Sequence, residues 1–588
     1  MTRTRRAIGP MLIALLVATA ACSGDDDSGG AATPAPESPG ATASPGTSPA
    51  TAAPDTGSTD TTADDTTTDG TTAEPSDTTP ATDLVENPDQ VTSEGEGRDA
   101  GEPQMGGVLR VGLGADGTGF NTIAAISPGS TRIINSLNDT LVSYNAQGEP
   151  VPLLAQSVTA SDDLMTWTIG LRQGVTFHDG APVDAAAVKA NLDAFRGSPS
   201  VGYGMSQVTD VVVVDDLTVE VQMNAPWSAF DSYLAGQPGY MVSPSTIGTN
   251  ETFVGTGPFV LESWTPGAGA RVVRNENYWQ EGLPYLDAIE FTFIPDGNVR
   301  RQALESGELD LYISPNDADI IDFLDDDAVD VWIGQASSNE SLFVLNTAAP
   351  PFDDLRVRRA MALALDRDLM IEVMRSGLTI PADGPVNPNS PWYVENDYPD
   401  FDMAEAQRLV AEYEAEVGPV QFTLYGEPTP ESQEQRELAI SFWEEAGMDV
   451  TNEDIGLGAS VSTAISDEFQ AIAWVQFSAI DPDGERSFFR SGGPLNWSNL
   501  VSERIDTALD AGRATADPDA RFEVYAEFQR ALAEELPMIF VDHLNGVEAV
   551  ASNPIVHGIA ERTLPDGQTG IGLLAGSFFS YEDVWMEQ

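Results

Sequence analysis

VLRVGLGADG, residues Val108–Gly117, is the run whose reading decides the fold: an apolar strand pattern leads straight into glycines spaced G-x-G-x-x-G. After a strand, that spacing is the fingerprint of a dinucleotide-binding turn, whose last glycine opens a helix that holds a pyrophosphate at its N-terminus. Here Gly117 is followed by TGFNTIAAISPGS, where Gly119 and Pro128 interrupt any such helix, and Asp116 would set a carboxylate beside two phosphates. Asp139 lies near the ribose-binding distance, but one acid carries little weight among 93 Asp and Glu. The glycines read as the flexible exit of a first strand into a cleft. No cofactor is expected.

Downstream, short apolar strands alternate with helical stretches, the pattern of an α/β protein. LMTWTIGLRQGVTFHDG (164–180) alternates apolar positions and ends in turn residues, and Asp184 follows as N-cap of a helix through Phe195. VTDVVVVDDLTVEVQM (208–223) predicts a hairpin around Asp-Asp. GNVRRQALESGELDLYIS (297–314) predicts a helix closed by Gly307 and then a buried strand, and residues 436–455 repeat that plan at Gly447. Residues 519–543 predict an amphipathic helix that stops near Pro537, before a strand Met538–Val541.

Composition removes several chemistries. The formal net charge is −66, a field that repels nucleic acid and anionic lipid surfaces, so neither is an expected partner. Lys189 is the sole lysine. Val188 precedes it where a phosphate-binding loop needs glycine, and Ala186 stands where a Ser-x-x-Lys pair needs serine. His178, His543 and His557 show no paired metal-ligand spacing, and no G-x-S-x-G elbow is present, so no metal and no catalytic residue is assigned. Carboxylates are too plentiful to exclude a secreted hydrolase by counting.

The N-terminus, MTRTRRAIGPMLIALLVATAAC, has a basic start, a short apolar run and small residues before Cys22, the layout of an export signal. The apolar run holds a Gly-Pro pair and falls short of the roughly 20 residues that span a bilayer. Arg5-Arg6 lacks the hydrophobic pair of twin-arginine export. Cys22 is the only cysteine, which excludes an internal disulfide and a Cys-His pair. Thr19-Ala20-Ala21-Cys22 resembles the lipobox of bacterial lipoproteins, with Thr19 where Leu is usual. That resemblance implies a lipidated Cys22 on the outer face of a bacterial cell membrane. Residues 23–104, rich in Thr, Ala, Pro, Ser, Gly and Asp, cannot bury enough apolar surface to offset chain entropy and are expected to form a disordered tether. A coil of that length reaches on the order of 50 Å.

The order of the landmarks says more than any one of them. GGVLRVGL, LLAQSVTASDDLMTWTIGLRQGVTFHDGAPVDAAAV, VGTGPFVLESW with NENYW, LESGELDLYIS, LFVLNTAAPPFDDLRVRRAMALALDRDLM and WVQFSAIDPDG follow one another along the chain. The series resembles the family 5 extracellular solute-binding proteins of ABC importers, the dipeptide, oligopeptide and nickel binders, over nearly all of residues 105–588. The resemblance implies a two-lobed, periplasmic-binding-protein-like α/β fold with an extra subdomain and a hinge. Lobe I would comprise 105–150, 245–345 and 540–588, the subdomain 151–244 and lobe II 346–539. The hinge would lie near Leu345–Thr347 and Val541–Leu544.

In peptide-binding relatives the ligand lies as an added strand between the lobes. The matching walls here are Gly119–Thr122 and Trp474–Ser478, and the expected lining residues are Phe120, Asn121, Trp474, Gln476, Ser478, Asp481 and Trp497. The alternative for Trp474 and Trp497 is a core aromatic, and for Asp481 and Asp483 it is to shape the Asp-Pro-Asp-Gly turn. The relatives hold a peptide ammonium with an Asp four residues before a Pro. In WVQFSAIDPDG that place falls on Ser478, whose hydroxyl cannot supply a charge-assisted bond. The resemblance implies a monomeric, non-catalytic receptor that passes a small peptide or similar polar organic solute to membrane permease subunits. A hydrolase or a non-transport sensor on the same scaffold is the alternative.

Overall fold

The computed structural model describes residues 101–588 except 125, 314–316, 325–327, 334–338, 467, 478–479, 545–548, 560 and 575–577. Cys22 and nearly all of the segment 23–104 lie outside the described residues. Val108–Leu113 is the central strand of a seven-stranded sheet, and its apolar residues set that place: Leu109 and Val111 are fully buried. It runs parallel to Ala288–Phe293 on one side and to Leu311–Ile313 on the other. The sheet order is Asp330–Ile333, Ala549–Ser552, Leu311–Ile313, Val108–Leu113, Ala288–Phe293, Gly269–Arg274, Phe259–Thr265. The next long helix is Pro128–Leu137, N-capped by Ser127, so Gly117 opens no helix.

A four-stranded antiparallel sheet holds Ala155–Ala160, Thr166–Leu171, Thr218–Met223 and Val208–Asp215. The last two form the hairpin that the sequence predicts, turning after Asp215. Ala185–Arg196 packs on this sheet, and Asp184 caps it by accepting the Ala187 N–H at 2.8 Å.

A six-stranded sheet has the order Ile380–Pro381, Met538–Leu544, Asn339–Leu345, Ala471–Phe477, Gln421–Gly426, Asp449–Asp454. Its core is mostly aliphatic, with an aromatic cluster at its centre. Trp443 meets Phe343 and Phe422 edge-on, with centroids 4.9 and 5.8 Å away, and donates its indole N–H to the Met361 carbonyl. Pro430–Glu445 and Asp449–Asp454 follow the predicted helix–glycine–strand plan, as do Gly297–Glu305 and Leu311–Ile313. The helix Pro518–Glu535 ends at Leu536, which takes the left-handed conformation before Met538.

The chain leaves the seven-stranded sheet after Ile333, joins the six-stranded one at Asn339, and returns to the first at Ala549. Both places named for the hinge therefore fall inside or beside strands of the second sheet: Leu345 pairs with Ala471, and Asp542 with Ser341 and Pro381. The physical reason is burial. Every residue of Asn339–Leu345 and of Met538–Leu544 is buried, the mark of central strands.

Candidate functional site

Ala471–Phe477 lies between Asn339–Leu345 and Gln421–Gly426, so its alternate side chains project to opposite faces of the second sheet. Trp474 stands opposite Leu342 and is half-buried; its ring meets Trp497 edge-on at 4.7 Å. Gln476 stands opposite Glu340, is buried, and donates from Nε2 to the Glu485 carboxylate at 2.9 Å. Glu340 in turn faces His543, 3.3 Å away. Burial pushes the His543 imidazole down to about 4, so it is neutral at pH 7.

The Asp-Pro-Asp-Gly turn follows. Asp481 caps the short 3-10 helix Pro482–Glu485 by accepting the Asp483 N–H at 2.9 Å. Both of its oxygens are also taken by Arg521, at 2.8 and 2.6 Å. Arg521 lies over the rings of Trp392 and Tyr525. Asp483 is buried and receives Nε and Nη2 of Arg513 at 2.8 and 2.6 Å, plus the Trp227 indole N–H at 2.9 Å. Burial alone would raise the Asp483 carboxyl; the Arg513 charge and hydrogen bonds outweigh that and hold it below the ordinary range.

On the other wall, Phe120 is buried in the core of the seven-stranded sheet. Its ring meets Trp264 and Phe253 edge-on at 5.0 and 6.2 Å, and its N–H donates to the Asn250 carbonyl. Asn121 is half-buried and its side-chain oxygen accepts the Ile123 N–H, closing an Asx turn. Ser478 lies outside the described residues.

The structure thus joins Trp474 to Trp497 and ties Gln476, through Glu485, to the turn that holds Asp481. It places Phe120 and Asn121 on the other sheet. Phe120 and Trp497 are core aromatics, because an aromatic ring gains most from full burial among other rings. Sequence reasoning missed Arg513, Arg521 and Trp227. Two acids flanking one proline do not by themselves signal a buried cation; only the burial of Asp483 demands a cation beside it. Which arginines serve is a spatial fact, separated by roughly 30 to 40 positions along the chain. Among the described residues, no group of three or more His, Cys, Asp or Glu is placed to hold a metal ion, and no helix is long and apolar enough to cross a membrane.

Two α/β lobes joined by paired chain crossings define the periplasmic-binding-protein class. Residues 149–499 match the profile of bacterial extracellular solute-binding proteins, family 5, and the chain belongs to that family. The glutathione-binding protein GsiB of Salmonella paratyphi A is 29% identical over 460 residues, which are 73% of this chain and 87% of that protein. The solved structure of NikA from Brucella suis in complex with Fe(III)-EDTA is similar with a TM-score of 0.72 at 25% identity, covering 82% of this chain and all of NikA (100%). DppA from Helicobacter pylori, an ABC transporter-associated periplasmic binding protein in complex with the peptide STSA, gives 0.69 at 23% identity over 82% of this chain and 99% of DppA. The protein is a solute-binding protein of this family, and its relatives are transport binding proteins rather than enzymes.

Proposed function

We propose that the protein captures a short peptide or a similar small polar organic solute between its two lobes and delivers it, chemically unchanged, to an ABC permease. The observation that carries this reading is the pairing of two unlike sheets by two chain crossings, the architecture also found in relatives solved with cargo bound. On this reading residues 105–150, 245–338 and 549–588 form the first lobe, 151–244 its subdomain and 339–544 the second. Asn121, Trp474 and Asp481 are the half-buried members of the expected set; Asn121 and Trp474 touch cargo together with Ser478, while Gln476 and Asp481, whose polar atoms are taken by Glu485 and Arg521, support the wall from behind. Cys22 carries a lipid anchor, residues 23–104 are the tether, and the receptor acts as a monomer.

Native mass spectrometry of the protein as purified tests the reading, because a closed receptor retains its solute. Glutathione is the first compound to titrate, since the curated relatives are named for it, followed by dipeptides and tripeptides. A retained or titrated solute released intact is the expected result. Turnover of the bound compound, or binding of none of these solutes, would overturn it.

A further inference from the structure

The four-stranded sheet and the second lobe meet through a set of contacts centred on Trp227, which is fully buried. Its ring packs on its own side against Phe230 and Tyr233, at 5.2 and 5.1 Å. Its indole N–H crosses to Asp483 at 2.9 Å, and the Arg513 guanidinium lies over the ring at 4.3 Å. Arg513 also donates from Nη1 to Gln207 at 2.5 Å. Beside it, Ser228 N–H donates to the Arg513 carbonyl at 2.8 Å and the Ser228 hydroxyl to the Gly512 carbonyl at 3.1 Å. Trp227, Ser228 and Gln207 belong to the layer that holds the four-stranded sheet; Asp483, Gly512 and Arg513 belong to the second lobe. None of the six is among the residues read as touching cargo.

We propose that Trp227, seated on the Asp483–Arg513 pair, is a latch that holds the lobes closed from outside the cargo site and sets how far the empty receptor is closed. The inference rests on the reading of a receptor whose lobes open and close. The chemistry suits a latch. The acceptor is an ionised carboxylate already clamped by Arg513, so Trp227 gains a charge-assisted bond that has no counterpart when the lobes part. The clamp itself stays within the second lobe and survives opening, so Asp483 is never left as an unpaired buried charge. What opening costs is confined to the crossing contacts, few enough to be reversible.

The test is the distance between two spin labels in the cargo-stripped protein, on cysteines replacing the exposed Asp162 and Glu523, in a chain whose sole natural cysteine, Cys22, is changed to serine. Trp227→Phe keeps an aromatic side chain but removes the indole donor and part of the ring surface under Arg513. Gln207→Ala removes the outer contact and leaves both cores intact. The parent protein is expected to populate a closed and an open distance. Trp227→Phe is expected to lower the closed-to-open ratio about tenfold, the loss of one hydrogen bond to a charged group, and Gln207→Ala to lower it in the same direction by less. An unchanged distribution in both variants would overturn the latch, and so would a single distance common to all three proteins. The measurement needs no cargo, so a mistaken cargo assignment leaves its outcome intact.

Discussion

Asp481 and Asp483 carry the sharpest residue-level consequence for cargo recognition. Each carboxylate already receives two hydrogen bonds from one guanidinium, Arg521 for the first and Arg513 for the second. A ligand ammonium would have to displace an arginine whose own burial demands a partner. Short peptides with free and with acetylated N-termini are therefore expected to bind within about threefold of each other in calorimetric titration, far inside the tenfold per 1.4 kcal/mol that an ion-paired ammonium would show. A strong preference for the free amine would mean that Arg521 or Arg513 moves aside. Asp231 is the opposite case. Its oxygen accepts the Ser232 N–H at 2.9 Å, but burial first, and Asp481 after it, push its carboxyl up to about 6. Between the ordinary value of 3.8 and about 6 the folded protein holds the extra proton, so this group's contribution to stability falls as pH rises through that window. Asn keeps the Ser232 contact and cannot ionise. Asp231→Asn is expected to be more stable than the parent at pH 7.5 by about 2–3 kcal/mol, since each pH unit across that window is worth about 1.36 kcal/mol. Thermal unfolding at pH 7.5 and at pH 4 should show that gain fading at the lower pH; an equal gain at both would rule out ionisation as its cause.

Elements were legible where local chemistry alone fixes them. The helix–glycine–strand passages show why. Pro430–Glu445 closes at Ala446, and Gly447 turns with φ of +99° to send Asp449–Asp454 back along the sheet. A left-handed residue there favours glycine for steric reasons that need no tertiary partner. Gly447→Ala is accordingly expected to destabilise the second lobe by about 1–2 kcal/mol, because alanine at positive φ is strained. The midpoint of chemical denaturation followed by tryptophan fluorescence measures it, and an unshifted midpoint would show that the turn relaxes. The same local logic found the cap at Asp184, the hairpin 208–223 and the stop near Pro537. It did not show that Leu345 and Val541–Leu544 lie within strands of the second sheet, because an apolar run such as Leu342–Leu345 reads alike wherever its sheet stands. It also could not separate buried from half-buried aromatics: Phe120 and Trp474 read alike in the sequence, and only the rings around Phe120 decide that it is buried.

At the scale of the whole molecule, the charge and the N-terminus point to one arrangement. A net charge of −66 opposes adsorption to an anionic membrane surface, so electrostatics cannot hold this receptor beside a permease. Among the described residues no helix can span the bilayer either. On the lipobox reading proposed above, Cys22 carries the attachment, and a single acyl chain gives only marginal binding, whereas two chains hold firmly. The thioether-linked diacylglycerol that the lipobox implies supplies two. Cys22→Ser is expected to move the protein almost wholly from the membrane pellet to the soluble fraction, at high and low salt alike, while glutathione and peptide titrations of the released protein match those of detergent-extracted parent. The salt comparison separates the two kinds of attachment, since a charge-held protein would redistribute as the screening length falls from about 30 Å at 0.01 M to about 3 Å at 1 M. Retention of the serine variant in the pellet under both conditions would refute the anchor while leaving the cargo reading to its own titrations.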